Sequence, residues 1–312
     1  MLYLDETHIR SYHVLRSTWS EVGRQKQVPT FGHHAHVSLF GAVNIHDGET
    51  VLHQTTAANA AGFRVLASMR NLDNRGRLEA AAKEAGVTDR MEIVQLDVTD
   101  FSAVETVIQD VIHRYGQIDL LVNNAGYAVG GFTEELVVEE WRRQFETNFF
   151  GLVAVTKAVL PSMRERRSGK IVNISSISGR IGFPSMGPYV ASKFAVEGFS
   201  ESLRLEMLPY GVHVVLIEPG SYKTDIWSKG LVAVTIHPNS PYVKEMKAIL
   251  KYVNKIAEAA PALDEVIQQI VQMAKSPSPK LRYPVGRGVK LGIVLKHVLP
   301  WKWWERMVTK RL

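Results

Sequence analysis

The sequence predicts an α/β fold in which a doubly wound parallel sheet carries helices on both faces. Short apolar runs of strand length alternate with stretches of helical periodicity from Gly62 onward, and polar or turn-forming residues follow several of these runs. The predicted strands are Phe63–Met69, Met91–Leu96, Ile118–Val122, Lys170–Ser175 and Val212–Ile217. The predicted helices lie near 75–85, 102–115, 135–166, 188–208, 241–258 and 262–275.

The composition is that of a globular protein, and it restricts the partners that we expect. Of 312 residues, 46% are hydrophobic and 22% are charged, and the absence of cysteine excludes disulfides and thiolate metal sites. Without a secretory leader pattern or an uninterrupted apolar run of about 18 residues, we expect a cytoplasmic protein. The net charge of +6 comes from residues 276–312, which hold nine basic side chains and one acidic one. The nearly neutral remainder argues against a nucleic-acid partner.

The first sixty residues read mostly as β structure and contain one histidine cluster, His33-His34-Ala35-His36. Neighbouring residues on a strand point to opposite faces, so only His34 and His36 share a face. Because a zinc site needs more ligands than two, the sequence predicts no metal site.

Tyr189 and Lys193 form the most informative pair in the chain. They lie four residues apart in a predicted helix and therefore share one face. A lysine ammonium beside a phenol favours the phenolate, which lowers a pKa that is normally about 10 and makes the tyrosine an acid or base near neutral pH. Ser176 ends an apolar run and can hydrogen-bond the same substrate oxygen. Such a trio moves a proton while another group moves a hydride.

Further motifs accompany this trio in a definite order. They are Asp97-Val98, Leu120-Leu121-Val122-Asn123-Asn124-Ala125-Gly126, Asn148-Phe149-Phe150-Gly151, and Pro219-Gly220 with Thr224. Together with the trio they resemble the short-chain dehydrogenase/reductase family over roughly residues 61–312. The resemblance implies a Rossmann-like fold, a nicotinamide cofactor and a substrate lid at about 221–275.

The resemblance also implies roles for individual residues. The implied catalytic residues are Ser176, Tyr189, Lys193 and Asn148. The implied cofactor-binding residues are Arg70, Asp97, Val98, Asn123, Ala125, Gly126, Tyr189, Lys193, Pro219, Gly220 and Thr224. In this assignment Tyr189 donates the proton during reduction and Ser176 orients the carbonyl. Lys193 holds the nicotinamide ribose, and Asn148 holds a water that relays protons to it.

Ser68 and Arg70 indicate which nicotinamide cofactor the chain prefers. An acidic residue near this strand end bonds the ribose 2′-hydroxyl and favours NAD. Ser68 takes the acidic position and Arg70 can bond a 2′-phosphate, so we predict a preference for NADP over NAD. The alternative is that Arg70 is a solvated loop residue.

The start of the chain does not fit this family. A member opens with a strand, a Gly-x-x-x-Gly-x-Gly loop and a helix whose N-terminus receives the cofactor pyrophosphate. No such motif precedes Gly62, and its nearest imitation, Phe40–Gly48, is followed by the strand-like run Glu49–Leu52. The sequence therefore predicts that the first βα unit is missing and that an unrelated, mostly β segment replaces it. An alternative is that His36–Val43 fills the vacant slot as a surrogate strand.

Residues 1–59 resemble a second family. Met1-Leu2-Tyr3-Leu4-Asp5-Glu6, Thr18-Trp19, Gly23-Arg24 and His36–Ala42 are similar to the opening strands of mariner-like insertion-sequence (DDE) transposases. The resemblance makes Asp5 the first metal-binding carboxylate, but a two-metal nuclease needs further carboxylates from far downstream. We therefore predict no transposase activity and two domains, 1–60 and 61–312. Their junction, near Ala57–Ala61, would come from an insertion into a dehydrogenase gene or from an incorrect gene model.

The C-terminal tail, residues 286–312, combines apolar and basic side chains. Trp301, Trp303 and Trp304 follow Pro300, and lysines and arginines are interleaved with them. Two interpretations remain open and can coexist. One is a helix packed near the substrate mouth, and the other is a membrane-surface segment with its indoles at the headgroup level.

We therefore predict an oxidoreductase that interconverts an alcohol and a ketone or aldehyde on an apolar, steroid-, retinoid- or lipid-like substrate. A cytoplasmic location is expected, with peripheral membrane contact if the tail docks, and a homo-oligomer is one of the open states of assembly. The alternative is a catalytically dead fusion remnant that cannot bind cofactor tightly without the glycine-rich loop. Loss of a central strand would also expose the apolar edges of its neighbours.

Overall fold

A computed structural model describes residues 38–43, 63–224 and 239–309. Within these ranges one parallel sheet contains seven strands: β1 Ser38–Val43, β2 Arg64–Met69, β3 Met91–Gln95, β4 Leu120–Asn123, β5 Gly169–Ile174, β6 Val212–Pro219 and β7 Arg282–Val285. The strand order is β3-β2-β1-β4-β5-β6-β7. It reverses direction between β1 and β4, and open α/β sheets bind their ligands outside the carboxyl ends of the strands at such a point.

The helices of the described ranges cover the sheet between successive strands. They are α1 Gly76–Glu84, α2 Phe101–Tyr115, α3 Val138–Phe145, α4 Leu152–Arg166, α5 Gly187–Met207, α6 Val243–Ala259, α7 Asp264–Lys275, α8 Val289–Val298 and α9 Trp301–Thr309. A wider π-helical turn, Glu146–Gly151, joins α3 to α4. No helix in the described ranges is both long and apolar enough to cross a membrane.

The strand β1 occupies the centre of the sheet. It pairs with β2 from Ser38 to Val43, and with β4 from Leu39 to Ala42. The predicted surrogate strand, His36–Val43, therefore lies in the slot of the missing first strand, and Ser38–Val43 is the part of it that the structure describes. The facing edges of β2 and β4 are consequently both paired, and the exposed edges expected for a remnant are not found there.

Alternate residues of the strands pack against two helical layers, as the period of two in a strand requires. One layer buries Leu66, Leu121, Ile171 and Val214 with apolar residues of α2 and α4, among them Ile108, Val111, Val155, Val159 and Met163. The opposite layer buries Val65, Leu120, Val172 and Val215 with Ile267, Ile270 and Met273 of α7. Burial on both faces explains why these strands read as continuous apolar runs.

Local signals explain the helix that carries the predicted Tyr–Lys pair. Pro188 lies in the first turn of α5, where a missing backbone N–H costs nothing. The buried positions then recur at helical spacing: Ser192, Lys193, Val196, Glu197, Ser200 and Leu203. Because Lys193 lies on this inner face and Tyr189 lies one turn before it, α5 directs both side chains toward the sheet.

The predicted α/β class, with a parallel sheet covered by helices, is confirmed, and two details differ. The stretch predicted as one helix at 135–166 is α3, the π turn and α4. The edge strand β7 was not predicted, because four residues that include Pro284 carry little strand signal. The predicted domain boundary at residue 60 stays a prediction, although β1 belongs to the sheet. Asp5 and His33–His36 lie outside the described residues.

Candidate active site

The candidate site lies at the carboxyl edge of the sheet, next to the reversal of strand order. The strands β4, β5 and β6 end there at Asn123, Ile174 and Pro219. Ser176 follows β5 by two residues, and α5 approaches the same edge with Tyr189 and Lys193. The structure thus brings the predicted trio together.

The serine contacts the tyrosine, and the lysine ammonium lies beside the tyrosine ring. A side-chain hydrogen bond joins Ser176 to Tyr189, and the Ser176 Oγ also accepts from the Ser178 N–H at 3.0 Å. The Lys193 Nζ lies 5.8 Å from the centre of the Tyr189 ring. It donates a hydrogen bond to the Ile174 carbonyl at 2.8 Å. Both the serine and the lysine are therefore fixed by the backbone around the end of β5.

Burial dominates the electrostatics of the trio. It raises the pKa of Tyr189, against the opposing effect of the hydrogen bond from Ser176. It lowers the pKa of Lys193 to about 8, against the opposing charge of Glu197. The sequence led us to expect a lowered tyrosine pKa. The direction is opposite in this arrangement, because loss of water around the phenol outweighs the favourable interactions.

Asn148 lies in the π turn beside the trio and is buried. Its Oδ1 accepts from the Tyr127 N–H at 3.0 Å, and its Nδ2 donates to the Tyr127 carbonyl at 3.0 Å and to the Ser192 Oγ at 3.1 Å. These bonds clamp the loop after β4 to the helix of the tyrosine and lysine. Insertion of an extra residue as a π turn often marks a functional position in a helix.

Gly126 lies in the loop that Asn148 holds. A Cβ at this position would lie 3.1 Å from the Asn148 Oδ1 and 3.8 Å from the Lys193 Nζ. A side chain would therefore fill a small space lined by two polar groups of the site. The neighbouring Ala125 is half-buried, and both residues follow β4 directly.

Asn123 makes a structural network rather than facing the edge. Its Nδ2 donates to the Thr156 Oγ1 at 2.9 Å and to the Asn173 Oδ1 at 2.8 Å. Asn173 in turn donates to the Ser200 Oγ at 2.8 Å. The network joins β4, β5, α4 and α5 beneath the site. Any role of Asn123 in holding cofactor is therefore one of supporting the strand end.

The residues predicted to meet the adenosine half of a cofactor lie after β2 and β3. Arg70 is exposed, and its charge acts on the Tyr127 hydroxyl across the position of β1. Asp97 accepts from the Thr99 N–H at 3.0 Å and from its hydroxyl at 2.7 Å, which fixes a turn. Val98 is buried against Gly151, where a Cβ would come within 2.6 Å of it.

The residues predicted to close over the nicotinamide lie after β6. The Gly220 N–H donates to the Val285 carbonyl at 2.9 Å, and a Cβ on Gly220 would lie 2.7 Å from the Val289 Cγ2. This segment is therefore fixed between β7 and α8. Thr224 is half-buried and is followed by residues 225–238, which the structure does not describe.

Sequence reasoning missed a buried ionic cluster next to the site. Glu197 and Glu218 are 5% and 0% exposed and share Arg282, while Arg180 pairs with Glu218. A signal was present, since Glu218 interrupts the apolar strand β6 and Glu197 lies four residues after Lys193 on its inner face. Among the described residues, no group of three acidic or histidine side chains is arranged to hold a metal ion.

The sheet order and the trio at its edge define the class of Rossmann-like α/β proteins. Within that class, the chain belongs to the short-chain dehydrogenase family: the model of that family, described as short chain dehydrogenase, matches residues 53–231. Residues 1–77 match a second model, described as DDE superfamily endonuclease, so both predicted resemblances are confirmed. The two matches overlap at residues 53–77, which include the predicted junction.

Several relatives are similar over most of the sheet-forming region. An uncharacterized oxidoreductase, YusZ of Bacillus subtilis, is 46% identical over 81% of this chain and 91% of its own length. The 3-ketodihydrosphingosine reductase of Bacteroides thetaiotaomicron is 38% identical over 64% of this chain and 74% of its own. Bovine retinol dehydrogenase 8 is 42% identical over 55% of this chain and 54% of its own.

Solved structures share the fold. A short-chain dehydrogenase from Streptomyces avermitilis superposes with a TM-score of 0.71 at 31% identity, covering 88% of this chain and 96% of its own. ElxO with NADP bound (TM-score 0.66, 22% identity, 82% and 100% covered) and a Burkholderia phymatum member with NAD (0.70, 21%, 84% and 94%) share the fold as well. Fold neighbours thus bind either nicotinamide cofactor.

Proposed function

We propose that this chain interconverts an alcohol and a ketone or aldehyde, with a nicotinamide cofactor and an apolar substrate. The observation that carries the proposal is the cluster of Ser176, Tyr189 and Lys193 at the carboxyl edge of the sheet, next to the reversal of strand order. The nicotinamide, when bound, supplies or accepts the hydride. The residues of the chain then have the tasks of binding the substrate oxygen and moving its proton.

Tyr189 is the proton donor in the direction of reduction. Because burial raises the pKa of Tyr189, its hydroxyl stays protonated near neutral pH and can donate to the substrate oxygen. Ser176, which already bonds to Tyr189, orients that oxygen. Below about pH 8 the ammonium of Lys193 is charged and stabilises the phenolate that remains after donation.

Asn148 helps to resupply the proton that Tyr189 has donated. Its Oδ1 accepts one hydrogen bond, from Tyr127, and a carbonyl oxygen has a second lone pair that can accept from a water. The small space beside Gly126 brings this oxygen and the Lys193 Nζ close together. We assign to Asn148 the holding of a relay water next to Lys193.

The described residues fit the nicotinamide and adenosine ends of a dinucleotide. The bare backbone at Gly126 leaves room next to Lys193, whose ammonium would hold the ribose hydroxyls. Arg70 is exposed after β2, and Ser68 stands where an acid would favour NAD, so we propose NADP as the preferred cofactor. Asp97 and Val98 would border the adenine. The pyrophosphate would lie after β1, where residues 44–62 are outside the described ranges.

We propose a long apolar substrate. Two similar proteins are named for such compounds, a 3-keto sphingoid base and retinol. In this chain two aromatic side chains remain exposed on the segments that carry the trio, Phe183 between Ser176 and α5, and Phe194 on α5. Exposed aromatic rings near a site mouth provide surface for an apolar chain.

The proposal includes a location, the surface of an anionic membrane. Five large apolar side chains of α8 and α9 are 52–73% exposed: Leu291, Val294, Val298, Trp301 and Trp303. The basic residues Lys290, Lys302 and Arg306 are exposed among them. Val289, Ile293 and Trp304 anchor the two helices on Ile181, two residues beyond the turn that follows Ser176. Docking through these helices would bring the site close to dissolved lipid-like substrate.

Two measurements on the purified full chain test the proposal. NADPH fluorescence should shift on binding, and NADPH should be oxidised when a long-chain ketone or retinal is added. A short ketone such as acetone serves as the matched substrate control. If neither binding nor oxidation occurs, the alternative of a catalytically dead remnant is supported instead.

A further inference from the structure

A buried pair of carboxylates lies beside the site, and the proposed mechanism does not use it. The Arg282 Nε is 3.0 Å from the Glu197 Oε2 and 3.0 Å from the Glu218 Oε1. The two carboxylate oxygens are therefore no farther apart than twice that distance. Arg180 approaches the Glu218 Oε1 at 3.1 Å.

This cluster connects the elements that carry the site. Glu197 lies on α5, one turn after Lys193, and Glu218 directly precedes Pro219 on β6. Arg282 comes from β7, and Arg180 follows the turn that Ser176 begins. Glu201, on the next turn of α5, bonds the outer side of Arg282 and is exposed.

A buried carboxyl that faces a second carboxylate ionises less easily, because both burial and the neighbouring negative charge favour its neutral form. Burial raises the pKa of Glu197 to about 7, the charge of Glu218 adds to this effect, and Ser175 and Arg282 oppose it. Glu197 in turn favours the charged form of Lys193. A proton gained or lost by Glu197 therefore changes the electric field at the lysine.

We propose that Glu197 is a positioning residue for Lys193, and that Glu197, buried beside Glu218 on a shared arginine, gains and loses a proton and so couples the site to pH. The chemical part of this inference rests on the proposed function, because it concerns the lysine that supports Tyr189. Glu218, Arg180 and Arg282 are the buried or half-buried charges of the cluster that act on this proton. Glu201 also pairs with Arg282, but its side chain is exposed and solvent screens its charge.

The first test needs no cofactor. A carboxyl whose pKa is higher in the folded state binds more protons when folded, so the contribution of Glu197 to wild-type stability falls as pH rises from about 4.5 to about 7. Glu197→Gln cannot titrate, and this fall should be reduced. The melting temperature of Glu197→Gln minus that of wild type should therefore be roughly 5 °C higher at pH 8 than at pH 5. Glu201→Gln is the matched control, because it also loses a carboxylate on Arg282 but at an exposed position.

The second test is the pH profile of kcat for ketone reduction. Removing the charge of Glu197 lowers the pKa of Lys193 further, so the loss of activity at alkaline pH should move to lower pH by roughly one unit. Glu201→Gln should keep the wild-type profile. A purely structural role for Glu197 would lower kcat equally at all pH values and leave unchanged the pH at which activity is lost on the alkaline side.

The outcomes separate this inference from the proposed function. A pH-dependent stability difference in a chain without turnover supports the titration of buried Glu197 and contradicts the proposed function. Turnover with identical pH profiles and parallel stability curves in wild type and Glu197→Gln overturns the inference. If Glu197→Gln does not fold, Glu218→Gln replaces it, since loss of the Glu218 charge should lower the pKa of Glu197 and reduce the same fall in stability.

Discussion

Burial of Tyr189 and Lys193 moves their pKa values in directions that favour one half of the proposed reaction. The tyrosine keeps its proton, and the lysine begins to lose its charge above about pH 8. Proton donation to a carbonyl is therefore supported at neutral pH. Alcohol oxidation needs the phenolate, and thus needs further stabilisation from groups that bind with the cofactor.

Tyr189→Phe should lower kcat by about 10²–10⁴-fold and leave NADPH affinity nearly unchanged, because it removes the proton donor but keeps the ring. Steady-state assays of ketone reduction measure kcat, and a fluorescence titration with NADPH measures cofactor affinity. Tyr210→Phe, at an exposed tyrosine beyond α5, is the control. Ordinary turnover in Tyr189→Phe would remove this residue from the mechanism.

Arg70→Ala should weaken NADPH binding by roughly 10- to 100-fold and NADH binding much less, because only NADPH carries the 2′-phosphate. Titration of both cofactors measures the ratio. Arg75→Ala removes another exposed arginine nearby, one that pairs with Glu79, and should change neither affinity. Equal weakening for NADPH and NADH would show that Arg70 does not read the phosphate.

At the scale of elements, α8 and α9 join the core to an exposed apolar and basic surface. Trp303→Ser together with Lys302→Glu should reduce binding to vesicles that contain phosphatidylserine by at least roughly tenfold, since each change removes interfacial or electrostatic attraction. Cosedimentation at low and high salt measures binding. Leu205→Ser, at a 75% exposed leucine on α5, is the control. If the wild-type protein self-associates and does not bind vesicles, this surface is an interface between two copies of the chain.

The sequence predicted the elements whose signals are local and missed those that depend on distant neighbours. Tyr189 and Lys193 share a helix face by spacing alone. The site lies at one edge of the sheet because parallel strands place all their carboxyl ends there. The meeting of Glu197, Glu218 and Arg282 joins α5, β6 and β7, and no local pattern reports such a contact. The raised pKa of Tyr189 also depends on how many groups exclude water from it, which is a property of packing.

At the scale of the whole molecule, β1 supplies the backbone of the missing first strand, whereas the glycine-rich loop of the family is predicted to be missing from the sequence. Replacing residues 1–60 with a family-type strand, glycine-rich loop and helix should therefore raise NADPH affinity more than it raises the melting temperature. The helix N-terminus would add N–H donors to the pyrophosphate, whereas the sheet is already paired. Thermal melting and NADPH titration of both chains measure the two effects. Equal NADPH affinity would mean that residues 1–60 already hold the cofactor.

The parallel pairing of β1 with two neighbours has a consequence for what the sheet can accept. Both of its edges are recognised through backbone N–H and C=O groups, which every residue except proline presents alike. Backbone pairing alone therefore does not depend on which gene encoded the segment, and the selective requirement is that its side chains pack between the two helical layers. The chemistry of such a sheet is set beyond the strand ends, where the segments that follow the strands meet.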